Sequence, residues 1–201
     1  MLDAMMRRIA DPPLALGGDI LARRGVSADA MTGIGLAFGL GSALCIVFSA
    51  DMAALVLLLL GRLCDGLDGA IARATQRTDR GGFIDIVADF IFYGAVPLAF
   101  ALRAPEANAL AAKVLLFAFY INSAGFLAYA AAAARRGLKS DAGPEKNIHF
   151  TSGLMEGTET IAFFVLMLLL TAWFAPLACL FAALTLVTAA MRCIQAWTSL
   201  R

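Results

Sequence analysis

"CDGLDGAIARATQRTDRGGFIDIVAD", residues 64–89, decides the fold, because it sets Asp65, Asp68, Asp85 and Asp89 inside a chain that otherwise reads as lipid-soluble. Of 201 residues, 61% are hydrophobic and only 15% charged, against about 25% charged in soluble domains. The length suits one domain, and the long apolar runs place it in a bilayer.

A hydrocarbon core of about 30 Å needs about 20 apolar residues per helix. Working outward from the aspartates, such stretches run over 31–50, 52–74, 82–102, 108–134, 150–173 and 176–195. Lipid cannot satisfy backbone donors and acceptors, so each must be helical. The expected fold is an all-α integral membrane protein, 1–201 forming a single domain. Six transmembrane helices over 31–195 follow an amphipathic cytoplasmic juxtamembrane helix within 1–30.

That first segment sets Leu14, Leu16, Ile20 and Leu21 among Asp19, Arg23 and Arg24, with Pro12 and Pro13 as the expected helix start. Arg23 and Arg24 interrupt the apolar run that a cleaved signal would need. The pattern instead suits a helix lying on an anionic leaflet. Basic residues accumulate before the first span, between the second and third, and between the fourth and fifth. By the positive-inside rule both termini and those loops face the cytoplasm. Cys45, Cys64, Cys179 and Cys193 show no metal-ligand spacing and read as core filler.

Helical rise locates the acids by depth. Asp68 and Asp65 fall roughly 8 and 12 Å inside from Arg73, and Asp85 and Asp89 roughly 6 and 12 Å inside from Gly81. Spacings of three and four put each pair on one helical face, with Gly69 and Ala72 beside Asp65. Four carboxylates at one level in a low dielectric repel one another unless a cation sits among them. Hard divalent ions such as Mg²⁺ or Mn²⁺ take oxygen ligands and complete their shell with phosphate oxygens, which implies a phosphate-bearing substrate. Arg73, Arg77 and Arg80 supply positive charge at the mouth, and Gly69, Gly81 and Gly82 allow close backbone approach. Arg62, three residues before Asp65, is a candidate ion-pair partner, but one arginine cannot neutralise four acids.

"DGLDGAIAR" followed by "GGFIDIVAD" resembles the signature of the CDP-alcohol phosphotransferase family, D-x2-D-G-x2-A-R, a spacer, then G-x3-D-x3-D. Asp65, Asp68, Gly69, Ala72, Arg73, Gly81, Asp85 and Asp89 fill every named position, although the spacer from Arg73 to Gly81 is contracted to 74–80. "SADAMT" at 27–32 is similar to the family's P-N-x-x-T entry to the first span, with Ala28 and Asp29 replacing proline and asparagine. The resemblance implies transfer of a phosphoalcohol group from a CDP-linked donor to a hydroxyl, with release of CMP. It also implies one or two Mg²⁺ or Mn²⁺ ions held by Asp65, Asp68, Asp85 and Asp89, with Asp89 doubling as general base. Asp65, Asp68, Gly69, Ala72, Arg73 and Gly81 would contact the nucleotide. A homodimer in the bacterial inner membrane, with no nucleic-acid partner, belongs to the same expectation.

Because the site opens to both cytoplasm and lipid, the expected donor is CDP-diacylglycerol and the acceptor a small polar alcohol. The alternative within the family is a CDP-choline or CDP-ethanolamine enzyme acting on diacylglycerol, whose members are usually longer. The acceptor pocket is expected near "KNIHFTSGLMEGTETIAFF", with Glu156 and Glu159 on one helical face and Arg136, Lys139 and Lys146 nearby. His149 reads as an interfacial residue, and Asn122 and Ser123 as interhelical hydrogen-bonding groups. The rival from another class is a cation or proton transporter built on intramembrane acids. It leaves the glycines and Arg73 unexplained, and no pair of broken helices supports it.

Overall fold

The computed structural model describes residues 2–137 and 154–200, all of them in helices and short connections. In chain order these are α1 (Leu2–Arg23), α2 (Ala28–Val47), α3 (Asp51–Ala74), α4 (Asp79–Arg103), α5 (Pro105–Arg135), α6 (Gly157–Leu169), a 3-10 turn (Thr171–Trp173) and α7 (Phe174–Ser199). Lys139, Lys146 and His149 lie outside the described residues.

Four of the described segments are long and apolar enough to cross a membrane: Ala28–Val47, Asp79–Arg103, Pro105–Arg135 and Thr171–Ser199. α3 has the length, but Arg62, Asp65, Asp68 and Arg73 make it too polar for that description. α6 has 13 residues. The turn expected near Ala175 lies earlier. α6 ends at Leu169 with Leu170 as its C-cap, and Ala175 is already inside α7.

Large apolar side chains point outward as well as inward, with Leu44, Phe48, Leu110, Phe117, Tyr120 and Trp197 all exposed. Such a surface is stable against lipid rather than water. Inside, Phe92, Phe100, Phe164, Phe174 and Phe181 are fully buried. Phe100 stacks on Phe174 at 4.3 Å between ring centroids, and Phe92 meets Phe164 edge to face at 5.7 Å. These rings join α4, α6 and α7 into one core.

Small residues let α2 and α3 approach closely. A Cβ on Gly35 would lie 3.2 Å from the Gly61 carbonyl oxygen, and one on Gly61 would lie 3.1 Å from that of Gly35. Gly35 and Gly39 form the small-x3-small spacing that such a crossing requires. Among the described residues, α2 also packs on α4, and α5 on both α4 and α7.

α1 departs from the expected start at Pro12. The helix runs from Leu2 through both prolines, which are exposed. Its packing on α3 is set by Gly17 and Gly18. A Cβ on Gly18 would fall 2.6 Å from that of Ala70, and one on Gly66 would fall 2.8 Å from Leu14 Cδ1. Leu14 thus covers the back of the aspartate-bearing turn, while Leu16 and Ile20 stay exposed.

Candidate metal and nucleotide site

α3 and α4 present the acids toward each other. One ligand oxygen from each of Asp65, Asp68 and Asp85 lies within 4.8 Å of the other two. Asp68 is buried, the others half-buried. Three hard carboxylate oxygens at that separation suit a divalent cation with oxygen preference, so the residues present fit Mg²⁺ or Mn²⁺.

α2 contributes to this cluster from far away in sequence. Ser27 caps the helix, its hydroxyl accepting from the Ala30 N–H at 3.2 Å. One turn later the Thr32 hydroxyl donates to Asp68 Oδ2 at 2.6 Å. The close α2–α3 crossing makes that reach possible. "SADAMT" therefore meets the aspartates through its threonine.

Asp89 sits differently. Its Oδ1 accepts from Arg62 Nη1 at 2.8 Å, and its Oδ2 accepts from the Tyr93 hydroxyl at 3.4 Å. Arg62 lies 3.5 Å from Asp65 Oδ2 as well, so one guanidinium spans both helices. It also sits over the Phe92 ring, 4.5 Å from the centroid. Three of the four aspartates form the cluster, and the fourth is engaged by an arginine and a tyrosine. The reading of Arg62 as partner of Asp65 missed its shorter contact with Asp89, because helical spacing reveals only partners on the same helix.

At the rim, Arg73, Arg77 and Arg80 are exposed. The Arg73 guanidinium folds back to within 3.4 Å of where a Gly69 Cβ would stand. Thr78 caps α4, its hydroxyl accepting from Gly81 N–H at 3.0 Å. A Cβ on Gly81 would meet Thr78 Oγ1 at 3.1 Å and Asp29 Oδ1 at 3.2 Å. Asp29 also pairs with Arg80 at 3.5 Å, so the start of α2 closes on the start of α4. Ala72, one residue before Arg73, is half-buried on α3.

Of the residues expected in an acceptor pocket, Arg136 is exposed as the C-cap of α5. Glu156 and Glu159 form a capping box at the start of α6, where Glu159 Oε2 accepts from the Glu156 N–H at 3.2 Å. This arrangement satisfies helix N–H groups that would otherwise be orphaned. Asn122 does form an interhelical hydrogen bond, its Oδ1 accepting from Arg192 Nη1 at 3.0 Å. Arg192 on α7 was not singled out from sequence. It is buried and lies against Phe126, with no partner for its Nε among the described residues. Its single charge near the end of an apolar span was the available signal.

Comparisons with known proteins agree with the signature. The sequence model of CDP-alcohol phosphatidyltransferases matches residues 26–197. "Inner membrane protein YnjF" of Escherichia coli (strain K12) is 43% identical over 201 residues, which is 100% of this chain and 98% of that protein. The fold is similar to crystal structures of phosphatidylinositol phosphate synthase PgsA1 of Mycobacterium tuberculosis. One, with CDP-DAG bound, gives a TM-score of 0.72 at 21% identity, covering 92% of this chain and 94% of that one. Another, with manganese and citrate, gives 0.71 at 22% identity, covering 92% and 88%. Signature, helical fold and a sequence match running from α2 into α7 converge: the chain belongs to the CDP-alcohol phosphatidyltransferase family.

Proposed function

We propose that this protein transfers a phosphatidyl group from CDP-diacylglycerol to the hydroxyl of a small polar alcohol, releasing CMP, in phospholipid biosynthesis. The observation that carries the reading is the convergence of Asp65, Asp68 and Asp85 to within 4.8 Å beside a rim of exposed arginines. The PgsA1 complexes with CDP-DAG and with manganese support the same donor and metal classes.

Asp65, Asp68 and Asp85, with Asp89 as a further ligand, would hold Mg²⁺ or Mn²⁺. Such an ion, when bound, neutralises the diphosphate and the charge that develops on departing CMP. Arg73, with Arg77 and Arg80, draws the phosphates to the mouth, while Gly69, Ala72 and Gly81 leave the nucleotide room against the backbone. Asp89 takes the proton from the acceptor hydroxyl. A bond then forms between that oxygen and the lipid phosphorus as the bond to the CMP oxygen breaks. Phosphoryl transfer asks mainly for such positioning and electrostatics.

The acceptor would enter where α5 ends and α6 begins, near Arg136, Glu156 and Glu159, with Lys139 and Lys146 in the intervening segment. The six-span arrangement, α1 on the inner leaflet, cytoplasmic termini and active site, an inner-membrane location and a homodimer complete the proposal. The relative from Escherichia coli is named for that membrane. The test is CMP release by purified protein supplied with Mg²⁺ or Mn²⁺, CDP-diacylglycerol and a panel of alcohols. Release with no alcohol in the panel, or divalent-cation uptake into vesicles without CMP formation, would overturn it.

A further inference from the structure

Arg192 and Gln195, three residues apart on one face of α7, each carry a buried polar atom with no partner among the described residues, Arg192 Nε and Gln195 Oε1. Buried polar groups ordinarily find a partner. Here a donor and an acceptor are left open one turn apart. Arg192 is only 9% exposed, and its Nη1 is held by Asn122 Oδ1 of α5 at 3.0 Å. Its guanidinium lies over the Phe126 ring, 5.6 Å from the centroid. These contacts seat the guanidinium and leave Nε to something else.

The Arg192–Asn122 contact stands at the level of Asp89. α4 and α5 pack against each other and are joined at Ala104 alone, so they run in opposite directions. The Tyr93 ring of α4 lies 6.4 Å from the Phe119 ring of α5. One turn nearer the rim, α4 carries Asp89, and α5 carries Asn122 with Arg192 attached. The start of α6 closes another side. The Met155 N–H donates to the Thr188 hydroxyl at 3.0 Å, one turn before Arg192. This brings Glu156 close enough for its charge to act on Arg192.

Hydrogen-bond capacity sorts the small alcohols that such a site can take. A phosphate offers only acceptor oxygens, so it would leave Gln195 Oε1 unpaired and set about two negative charges beside Glu156. An ammonium offers only donors, so it would leave Arg192 Nε unpaired and meet the charge of that guanidinium. A hydroxyl donates and accepts, and neighbouring hydroxyls of one molecule serve both atoms together. We propose that the acceptor is an uncharged polyol, two of its hydroxyls bound by Arg192 and Gln195 and another presented to Asp89, and that Glu156 turns away the corresponding phosphomonoester. This rests on the transferase reading and names the acceptor class within it.

The experiment supplies detergent-purified protein with Mg²⁺, CDP-diacylglycerol and one acceptor at a time, and follows CMP release. The acceptors are inositol, glycerol, a phosphomonoester of each, serine and ethanolamine, and calorimetry reads inositol binding in parallel. Inositol or glycerol should give a kcat/KM about tenfold or more above its own phosphomonoester and above both amino alcohols. Arg192→Gln and Gln195→Leu should each raise the polyol KM about tenfold, with the KM for CDP-diacylglycerol unchanged. Glu156→Gln keeps an oxygen for the helix cap and should narrow the gap by admitting the phosphomonoester. Preference of the wild type for a phosphomonoester or an amino alcohol, or an unchanged polyol KM in both α7 variants, overturns the proposal. If those variants do not fold, the ranking of acceptors by wild type still decides it. If no acceptor releases CMP, the transferase reading fails and calorimetry still tests the site. Inositol binding that is lost in Arg192→Gln then supports it, and no binding, with water alone serving the two atoms, overturns it.

Discussion

The Thr32 hydroxyl donates to Asp68 Oδ2 at 2.6 Å, joining the first turns of α2 to the signature turn of α3 across 36 positions of sequence. A buried carboxylate keeps a fixed orientation only if its oxygens have donors. Replacing Thr32 by Val keeps the shape and removes the donor, so Mn²⁺ affinity should fall about tenfold, with the fold retained. Calorimetric titration checks this. Unchanged affinity would mean that the hydroxyl has no part in orienting Asp68.

Removing the ion should stop transfer. Protein treated with chelator is expected to release no CMP until Mg²⁺ or Mn²⁺ is restored. Asp68→Asn and Asp85→Asn should remain inactive after metal is added back, because each lacks one charged oxygen of the three-carboxylate cluster.

Gly18 and Gly82 should respond oppositely to added bulk. Gly18→Val would drive a side chain into Ala70, whose Cβ already lies 2.6 Å from the position of a Gly18 Cβ. Overpacking of this kind costs about 1–3 kcal/mol. Nothing lies within 4 Å of a Cβ on Gly82, and Gly82→Ala in helix α4 should be neutral or stabilising by about 0.5–1 kcal/mol. Thermal denaturation in detergent compares them. Equal Tm values would show that α1 does not pack as described.

Arg103 at the end of α4 is paired with Asp51 at the start of α3, at the opposite end of both helices from the rim arginines. Arg103→Ala should therefore lower Tm, with a loss of up to about 1 kcal/mol, and leave kcat per folded molecule unchanged. A marked fall in kcat would mean that this end of the bundle is coupled to the site.

Glu159 separates a cap from a pocket. Glu159→Gln keeps an oxygen for the Glu156 N–H and should preserve stability, whereas Glu159→Ala should cost about 1 kcal/mol through loss of the cap. If its charge also meets the acceptor, both variants raise the acceptor KM. An unchanged KM in Glu159→Gln would reduce Glu159 to its capping role.

Several features were legible before folding because they depend on local spacing. The run of apolar residues marked α2, α4, α5 and α7, since lipid requires such lengths. The three- and four-residue intervals between aspartates put each pair on one face, whatever the helix packs against. The capping box at Glu156 and Glu159 was present in sequence too, but depth in an apolar stretch directed attention to a pocket instead. The start of α1 was misplaced because prolines tolerate a helical φ, and exposure at Pro12 and Pro13 let the helix continue through them.

By itself, the sequence determined the helical membrane class, the two aspartate-bearing faces, the arginine rim and the family signature, all consequences of composition and helical period. The convergence of Asp65, Asp68 and Asp85, and the pairing of Asp89 with Arg62, exist only in the tertiary structure. That structure likewise decided that Thr32 serves Asp68 and that Leu14 of α1 backs the signature turn. These relations run between helices, and their geometry follows from how closely Gly35, Gly39, Gly61 and Gly18 let the backbones approach. No period along one chain encodes that distance; it exists only once the helices have crossed.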